Sequence, residues 1–547
     1  MAVTVTNNMT TVDVCDLATN FELFGTGASA LAVNGDVLQE GAGSIACKVT
    51  GGMTNDDIGG VLFNNWLSTD ITNKVIVLWV NTTNQMFSKA NGGVRIVVED
   101  GTGNQGFWFV GGSDTYKGGW QAFMVHGSTT FDGDSGTAPT LTDINKVGGA
   151  IRTTSDIMGG VKTFFLDIIR EYNDTTHAIT VDGGTTGDRG NWAEVAVADD
   201  SASLGIVQAR GGSILVQGRI KLGNDGSTDS FFQSRGEVVI WQDLPVDNSK
   251  TTPTHFLDIV GGTGTNSVEI GEEIGSGATS IGINGGVMRA ANKTNSGFYL
   301  NIDQSDTTVL MAGMQIDGCN EFDFGQANLT VISCGINNSG NILFNGAEMR
   351  ESVVSDSTEA AGIGALVFRG GDPAADDFQN NLFVNNVHAL EWEDNGPVSL
   401  DLENITFSNN TADLRFNHAS GLLTVNIVEG GDSPTTSDGG AGGTITVVSA
   451  VTVTITVKSA ATGNGIEGVK VFIDEDPVSV PPTLFSGTTN SSGVFTDTFN
   501  GSTPQNVTVR ARLRGLIPVT ILDTIVANTG LSVPITMTAD AGADRRE

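Results

Sequence analysis

A chain of 547 residues exceeds what one hydrophobic core usually serves, so two to four domains are expected. An apolar content of 39% argues for folded domains over disorder, and 73 glycines beside a charged content of only 16% suit short strands and tight turns far better than helices. The formal charge of −35 excludes a nucleic-acid partner, which needs clustered Lys and Arg to neutralise phosphates.

The opening MAVTVTNNMTTVDVCD has no basic region followed by an apolar run, so no secretion signal is expected and synthesis is placed in a cytoplasm. No run of 18 apolar residues occurs, so no membrane insertion is expected. Cys15, Cys47, Cys319 and Cys334 offer neither a C-x-x-C pair nor a disulfide framework, and buried thiols are expected.

From residue 1 to about 245, short runs of β-branched and aromatic residues are separated by Gly, Asn and Asp. Examples are KVIVLWV (74–80), VRIVV (94–98), GFWFV (106–110), WQAFMV (120–125), KTFFLDII (162–169) and EVVIW (237–241). Such a series without helical periods predicts a β-sandwich or jelly roll. The part from about 180 to 245 is less regular. GIVQARGGSILVQGRIKLG reads there as two or three more strands, either an excursion from the sandwich or an early solenoid coil. Trp108, Tyr116 and Trp120 lie within 13 residues, and aromatics on a sandwich face can stack on sugar rings, although half-buried core aromatics are the simpler reading. In DGDSG, Asp132 and Asp134 alternate as calcium ligands do, the one cofactor the sequence suggests, although the remaining ligands of an EF-type loop are missing and a polar turn is the simpler reading.

Residues 246 to 430 carry a repeat. NNLFVNNVHALEW (380–392) matches ENITFSNNTADLRF (403–416) at a step of 24, which places Leu390/Trp392 over Leu414/Phe416. Stepping backward gives Leu366/Phe368, Ile342/Phe344, Phe322/Phe324 and Phe298/Leu300, so that six apolar-x-apolar pairs recur at spacings of 24, 20, 24, 24 and 24. A two-residue apolar step means a strand with both side chains facing one way. A coil of about 24 residues fits three short strands and three turns, and stacked coils bury a continuous axial core. The expected fold is a right-handed parallel β-helix in which Leu300, Phe324, Phe344, Phe368, Trp392 and Phe416 form a ladder. The residue between each pair should face solvent, with Glu391 and Arg415 stacked as a weak exposed pair.

Residues 431–444, rich in Gly, Ser, Thr and Asp, read as a linker, and 445–547 as a compact sandwich. Val457, Thr462, Gly463, Ile466, Gly468, Val469 and Val471, followed by Gly493 and Phe495 and then Val507, Val509, Arg510 and Ala511, keep the order of a known accessory module. This segment resembles the carboxypeptidase-regulatory-like or bacterial Ig-like domains, which implies an Ig-like sandwich serving as spacer or contact module. The whole order of an all-β chain, from strand-rich N-terminal domain through β-helix to small sandwich, resembles tailed-bacteriophage virion proteins such as tail spikes, tail fibres and head appendages. That resemblance implies a virion structural protein for host attachment, a homotrimer, contacts with other virion proteins, and a host surface glycan or receptor as target.

The same scaffold can carry a polysaccharide depolymerase, a lyase or glycoside hydrolase needing two carboxylates on one face of neighbouring coils. Glu391, Asp401 and Glu403 are the set for that alternative, with Asp323, Glu393, Asp394 and Asp413 nearby in sequence, but among 62 acidic residues solvated carboxylates are expected everywhere. His388 and His418 have no partner at a spacing that suggests a triad or a metal site.

Overall fold

The computed structural model describes residues 3–50, 57–82, 93–111, 119–153, 161–185, 188–223, 230–242, 253–260, 266–271, 285–291, 297–302, 307–323, 328–344, 348–358, 364–368, 378–392, 399–428, 431–438, 442–449, 451–476, 483–499, 505–526 and 529–540. They are nearly all β. The chain falls into two compact units, Met1–Glu348 with Ser352–Ala360, and Met349–Glu351 with Ala361–Glu547.

The first unit opens with two antiparallel sheets. One has the order Gln121–His126, Lys74–Thr82, Val161–Asn173, Ser44–Thr50, Ala28–Asn34, with Thr10–Asp13 also paired to Val161–Asn173. The other runs Gly133–Asp134, Gln105–Gly111, Gly93–Asp100, Ile144–Thr153, Asp57–Phe63, Phe21–Phe24. They face each other: a Cβ on Gly149 of the second sheet would press on Phe164, Leu166 and Leu78 of the first. Strand Gln105–Gly111 keeps the period of two, with Trp108 and Val110 buried and Phe107 and Phe109 half-buried. Strand Lys74–Thr82 does not, because Val75 through Val80 are all buried. Its second face is covered by residues 203–218, where Trp79 Nε1 donates to the Ser203 carbonyl at 2.7 Å. Gly205 (φ 79°) passes so close that a Cβ would collide with the Ala122 methyl.

The covering residues lead into a parallel stack through Ser213–Val216. Strand Ile179–Asp182 pairs in parallel with Arg219–Leu222, which continues through Phe256–Ile259, Phe298–Ile302 and Cys319–Asp323 to Asn341–Phe344. A second parallel row runs from Ser213–Val216 through Val238–Trp241, Val287–Ala290, Gln315–Asp317 and Gly335–Asn337 to Val353–Ser355. A third joins Phe231–Gln233, Asn266–Gly271, Thr307–Ala312 and Asn328–Ile332. The chain visits the three rows in rotation. Parallel pairing thus starts at Ile179 rather than at 246, and is interrupted before 216 by two antiparallel pairs, Gly184–Thr185 with Asp188–Arg189 and Val207–Arg210 with Ser213–Val216. Helix Trp192–Ser201, capped by the Asn191 side chain on the Glu194 amide, covers this end with Trp192, Val195 and Ala196 buried. Strand Thr4–Asn7 pairs antiparallel with Ile179–Asp182 and closes that edge.

One step of the repeat differs from the sequence reading. Leu300 lies opposite Phe322, a step of 22, because a register shift after Phe298 skips Asn320. Phe322 then faces Ile342, the step of 20. Phe324 is outside the described residues, and Phe344 is fully buried.

The second unit repeats every 24 residues. Leu366, Leu390 and Leu414 are in register, as are Phe368, Trp392 and Phe416. The Phe368 and Trp392 rings stack at 4.9 Å and 26°, worth ~0.5–1.5 kcal/mol beyond their burial. The paired asparagines of the two matching segments also have a reason. Asn385 and Asn409 adopt φ of 57° and 55° at a coil corner, where Asn tolerates the left-handed region. Asn386 next to the first is buried and holds Asn410 of the following coil through its amide and side chain, at 2.9 and 3.2 Å. Residues 431–444 are less of a linker than their composition suggests. Thr436–Ser437 pairs in parallel with Leu414 and Arg415, and Thr444–Ser449 with Leu422–Val428, so the stack continues to 449. Gly, Ser and Asp are what coil corners require as well as what linkers use.

From Val451 two further sheets follow, Val494–Phe499, Val451–Ser459, Leu531–Met537 and Thr483–Thr488, Lys470–Glu475, Gln505–Arg512, Val519–Ile525. Alternate residues of both, among them Val453, Ile455, Val471, Ile473, Val507, Val509 and Ile535, share one core.

Candidate functional site

The carboxylates named from sequence stand on different strands of the stack. Glu391 is central to His388–Trp392 and opposite Arg415, as the step of 24 requires. It is not exposed. Glu391 is 0% accessible, accepts from Arg415 Nη1 at 3.1 Å and from the Gly364 amide, and lies beneath the backbone around Gly364. Asp401 and Glu403 belong to Ser399–Glu403, in another row. Asp401 accepts from Asn426, its register partner, at 2.6 Å. Asp413 accepts the Thr435 amide at 2.8 Å and hydroxyl at 2.7 Å. Asp323 is half-buried between Asn301 and Leu343, while Glu393 and Asp394 lie outside the described residues. An acid/base pair needs two carboxylates across one substrate-sized gap. Glu391, Asp401 and Asp413 instead each tie one coil to the next. His388 is half-buried, and His418 stacks on Phe416 at 5.5 Å.

In the antiparallel sheets, Trp108 is a core residue: it is 0% accessible, donates Nε1–H to the Thr129 carbonyl at 2.7 Å, and packs on Phe131 at 4.5 Å. Trp120 is half-buried, edge-on to Phe165 at 6.4 Å, and its carbonyl accepts from Arg210. Tyr116 lies outside the described residues. Asp132 accepts the Phe109 amide and Asp134 the Gly136 amide, each at 2.7 Å, so both acids organise their turn. Among the described residues no three His, Cys, Asp or Glu converge as a metal site would require. All four cysteines are buried free thiols, and burial pushes the Cys47 thiol up to about 12.

Other clusters carry no sequence motif. On the outward side of the second sheet, Leu62, Val97 and Ala150 form an apolar floor with Phe24, Ile58 and Phe107 packed against it. Arg95 rises from this floor opposite Phe109, its guanidinium carbon 4.0 Å from the Phe107 ring centre and 4.3 Å from that of Phe109. Only 3% of Arg95 is accessible, yet Nε and Nη1 have no hydrogen-bond partner. Burial pushes the guanidinium down to about 10, with Asp132 opposing the shift. At the far end Lys146 bridges Glu22 at 2.6 Å and Glu99 at 2.7 Å.

His126 lies between Ser128, 2.8 Å from Nδ1, and Asp174, 3.2 Å from Nε2, a sequence of groups that general-base catalysis also uses. The Ser128 amide donates to the same Nδ1 at 3.2 Å, so the lone pair closes the turn. Under the first coil, Asp199 accepts the amides of Gly205, Ile206 and Val207, and the bulge at Ile168 (φ 49°) sets Asp167 against the Gln39 and Glu40 amides.

No protein-family model matches the chain, and no curated protein is significantly similar to it. Solved structures that align include the family 11 carbohydrate-binding module of the cellulosomal cellulase Lic26A-Cel5E of Clostridium thermocellum, at TM-score 0.23 and 14% identity over 31% of this chain and 96% of the module. An exo-beta-agarase aligns at TM-score 0.21 and 11% identity, over 30% of this chain and 24% of its own. The arabinose-bound α-L-arabinofuranosidase MgGH51 aligns at 0.19 and 12%, over 30% and 25%. At such TM-scores the likeness identifies neither a family nor a ligand.

Proposed function

We propose that the protein is a structural surface appendage of a tailed-bacteriophage particle, a tail spike, tail fibre or head fibre, which attaches to the host surface without needing catalysis. In this reading the coils are a right-handed parallel β-helix, the N-terminal sheets a jelly-roll platform, and the last two sheets an Ig-like contact module. The mature form is a homotrimer, made in the host cytoplasm and carried on the virion with other particle proteins, with a host glycan or receptor as target.

One observation supports it most. Three acidic side chains of the coils serve as rungs between coils, Glu391 to Arg415, Asp401 to Asn426 and Asp413 to Thr435, which is how a scaffold uses carboxylates. Immunogold labelling with antibody to this chain should decorate discrete sites on particles, and light scattering should give three chains per assembly. Unlabelled particles from a lysate rich in the protein would remove the proposal. Release of reducing ends or unsaturated sugars from host polysaccharide, lost in Asp401→Asn or Glu403→Gln, would replace it with a depolymerase.

A further inference from the structure

We propose that the outward patch formed by Phe107, Phe109, Arg95 and Asp132 binds a neutral sugar ring of a surface polysaccharide. The proposal rests on the attachment reading and gives it a site.

The strand's parity makes the patch. In Gly106–Val110 three aromatics are consecutive, so burying Trp108 necessarily turns Phe107 and Phe109 to the opposite face. Both remain half-buried rather than covered. Arg95 lies against both rings, which stand edge to face at 6.0 Å and 83°, and leaves the rest of each ring as an apolar contact for the C–H face of a sugar.

Polar groups of both kinds converge there. Arg95 is 97% removed from solvent (its accessibility is 3%), and a guanidinium cannot shed its charge to relieve unpartnered N–H groups. Buried donors of this kind point to a missing acceptor, and hydroxyl oxygens supply one. Asp132 is exposed, and with Oδ2 held by the Phe109 amide its other oxygen can accept from a hydroxyl. A donor and an acceptor beside two rings match the alternating polarity of a pyranose edge.

Charge selects the class of sugar. The patch contributes one positive and one negative group, and the whole chain carries −35. A polyanionic glycan would be repelled by the chain's net charge on approach, whereas a neutral ring meets no such barrier.

Electrophoresis of the full-length protein through gels containing dextran, mannan, galactan or mixed-linkage β-glucan, with polygalacturonate as the charged arm, tests this. At least one neutral polymer should retard the protein. Asp132→Asn, which can still accept the Phe109 amide, and Arg95→Met should each weaken retardation at least tenfold. Melting temperature should be unchanged in the first and not lowered in the second, since Met keeps an apolar contact with the rings and removes buried N–H groups that have no acceptor. If Arg95→Met fails to fold, Asp132→Asn decides. No retardation by any neutral polymer, retardation by polygalacturonate alone, or retardation that survives both substitutions would overturn the proposal. Particles that label with antibody while the purified chain ignores every neutral polymer would retain the appendage and lose this site.

Discussion

Asp199 is completely enclosed and still accepts three backbone amides, Gly205 at 2.7 Å and Ile206 and Val207 at 2.9 Å. Burial pushes its carboxyl up to about 7, and burial likewise pushes Asp167 up to about 6 against the pull of the Gln39 and Glu40 amides. An unfolded chain returns both to about 4. The native state therefore binds these protons more tightly, so the stability they confer is complete below about pH 4 and is lost as pH rises through 6 and 7. Going from about pH 5 to about pH 8 should remove about 2–3 kcal/mol through Asp199 alone. Thermal melts across that range should slope downward, and Asp199→Asn should flatten the slope while lowering stability at the acid end. An unchanged slope in the variant would assign the pH dependence elsewhere. Nothing in NWAEVAVADDS announces this role, because the helix is short and its charged residue becomes buried only when the first coil turns beneath it.

Strands and their registers were the most readable level. Equal spacing of apolar-x-apolar pairs follows directly from coils of equal length, and the in-register columns at 366, 390 and 414 show it. The step from 298 misled because Phe322 and Phe324 both satisfy the pattern, and only the register, shifted by one after Phe298, sets Leu300 opposite Phe322. Parity failed for a related reason. Three consecutive aromatics in GFWFV leave the inward residue undecided, and only pairing with Gly93–Asp100 settles it. Burial of the intervening strand positions was also invisible, since it depends on backbone from another part of the coil. That burial sets the energetics of Glu391 and Arg415, a pair that would be worth little if exposed. Arg415→Met takes the cation from a fully buried carboxylate and should cost about 3–5 kcal/mol in denaturant unfolding. Adding Glu391→Gln should recover most of that loss, because the buried charge that lost its cation is gone. Additive losses in the double variant would mean that the two side chains do not sense one another.

At the scale of the molecule, composition correctly implied an all-β chain, but Gly- and Asp-rich corners imitated linkers and the first parallel strands imitated a continuing sandwich. What composition cannot reveal is how a stack of parallel strands ends. Open strand edges offer unpaired N–H and C=O groups to any other chain, and a stack has such edges at each terminus. In the first unit the problem is met by a strand of the antiparallel part: Thr4–Asn7 pairs residue by residue with Asp182–Ile179, Asn8 adds a bond from its amide to Ala178 at 3.0 Å, and the Asn8 side chain reaches Thr180. The helix Trp192–Ser201 shields the neighbouring interior, where Trp192 packs edge-on to Phe232 at 5.3 Å. Removing residues 1–8 should therefore leave the sheets and coils folded but expose the row that begins at Ile179. The truncated chain should gain association that grows with concentration, visible as rising mass in light scattering beside an unchanged circular-dichroism spectrum. A truncated chain with the same mass as the parent at every concentration would show that the strand fills a gap in the fold and protects nothing. Loss of the β spectrum would show that it is needed to build the first coil at all.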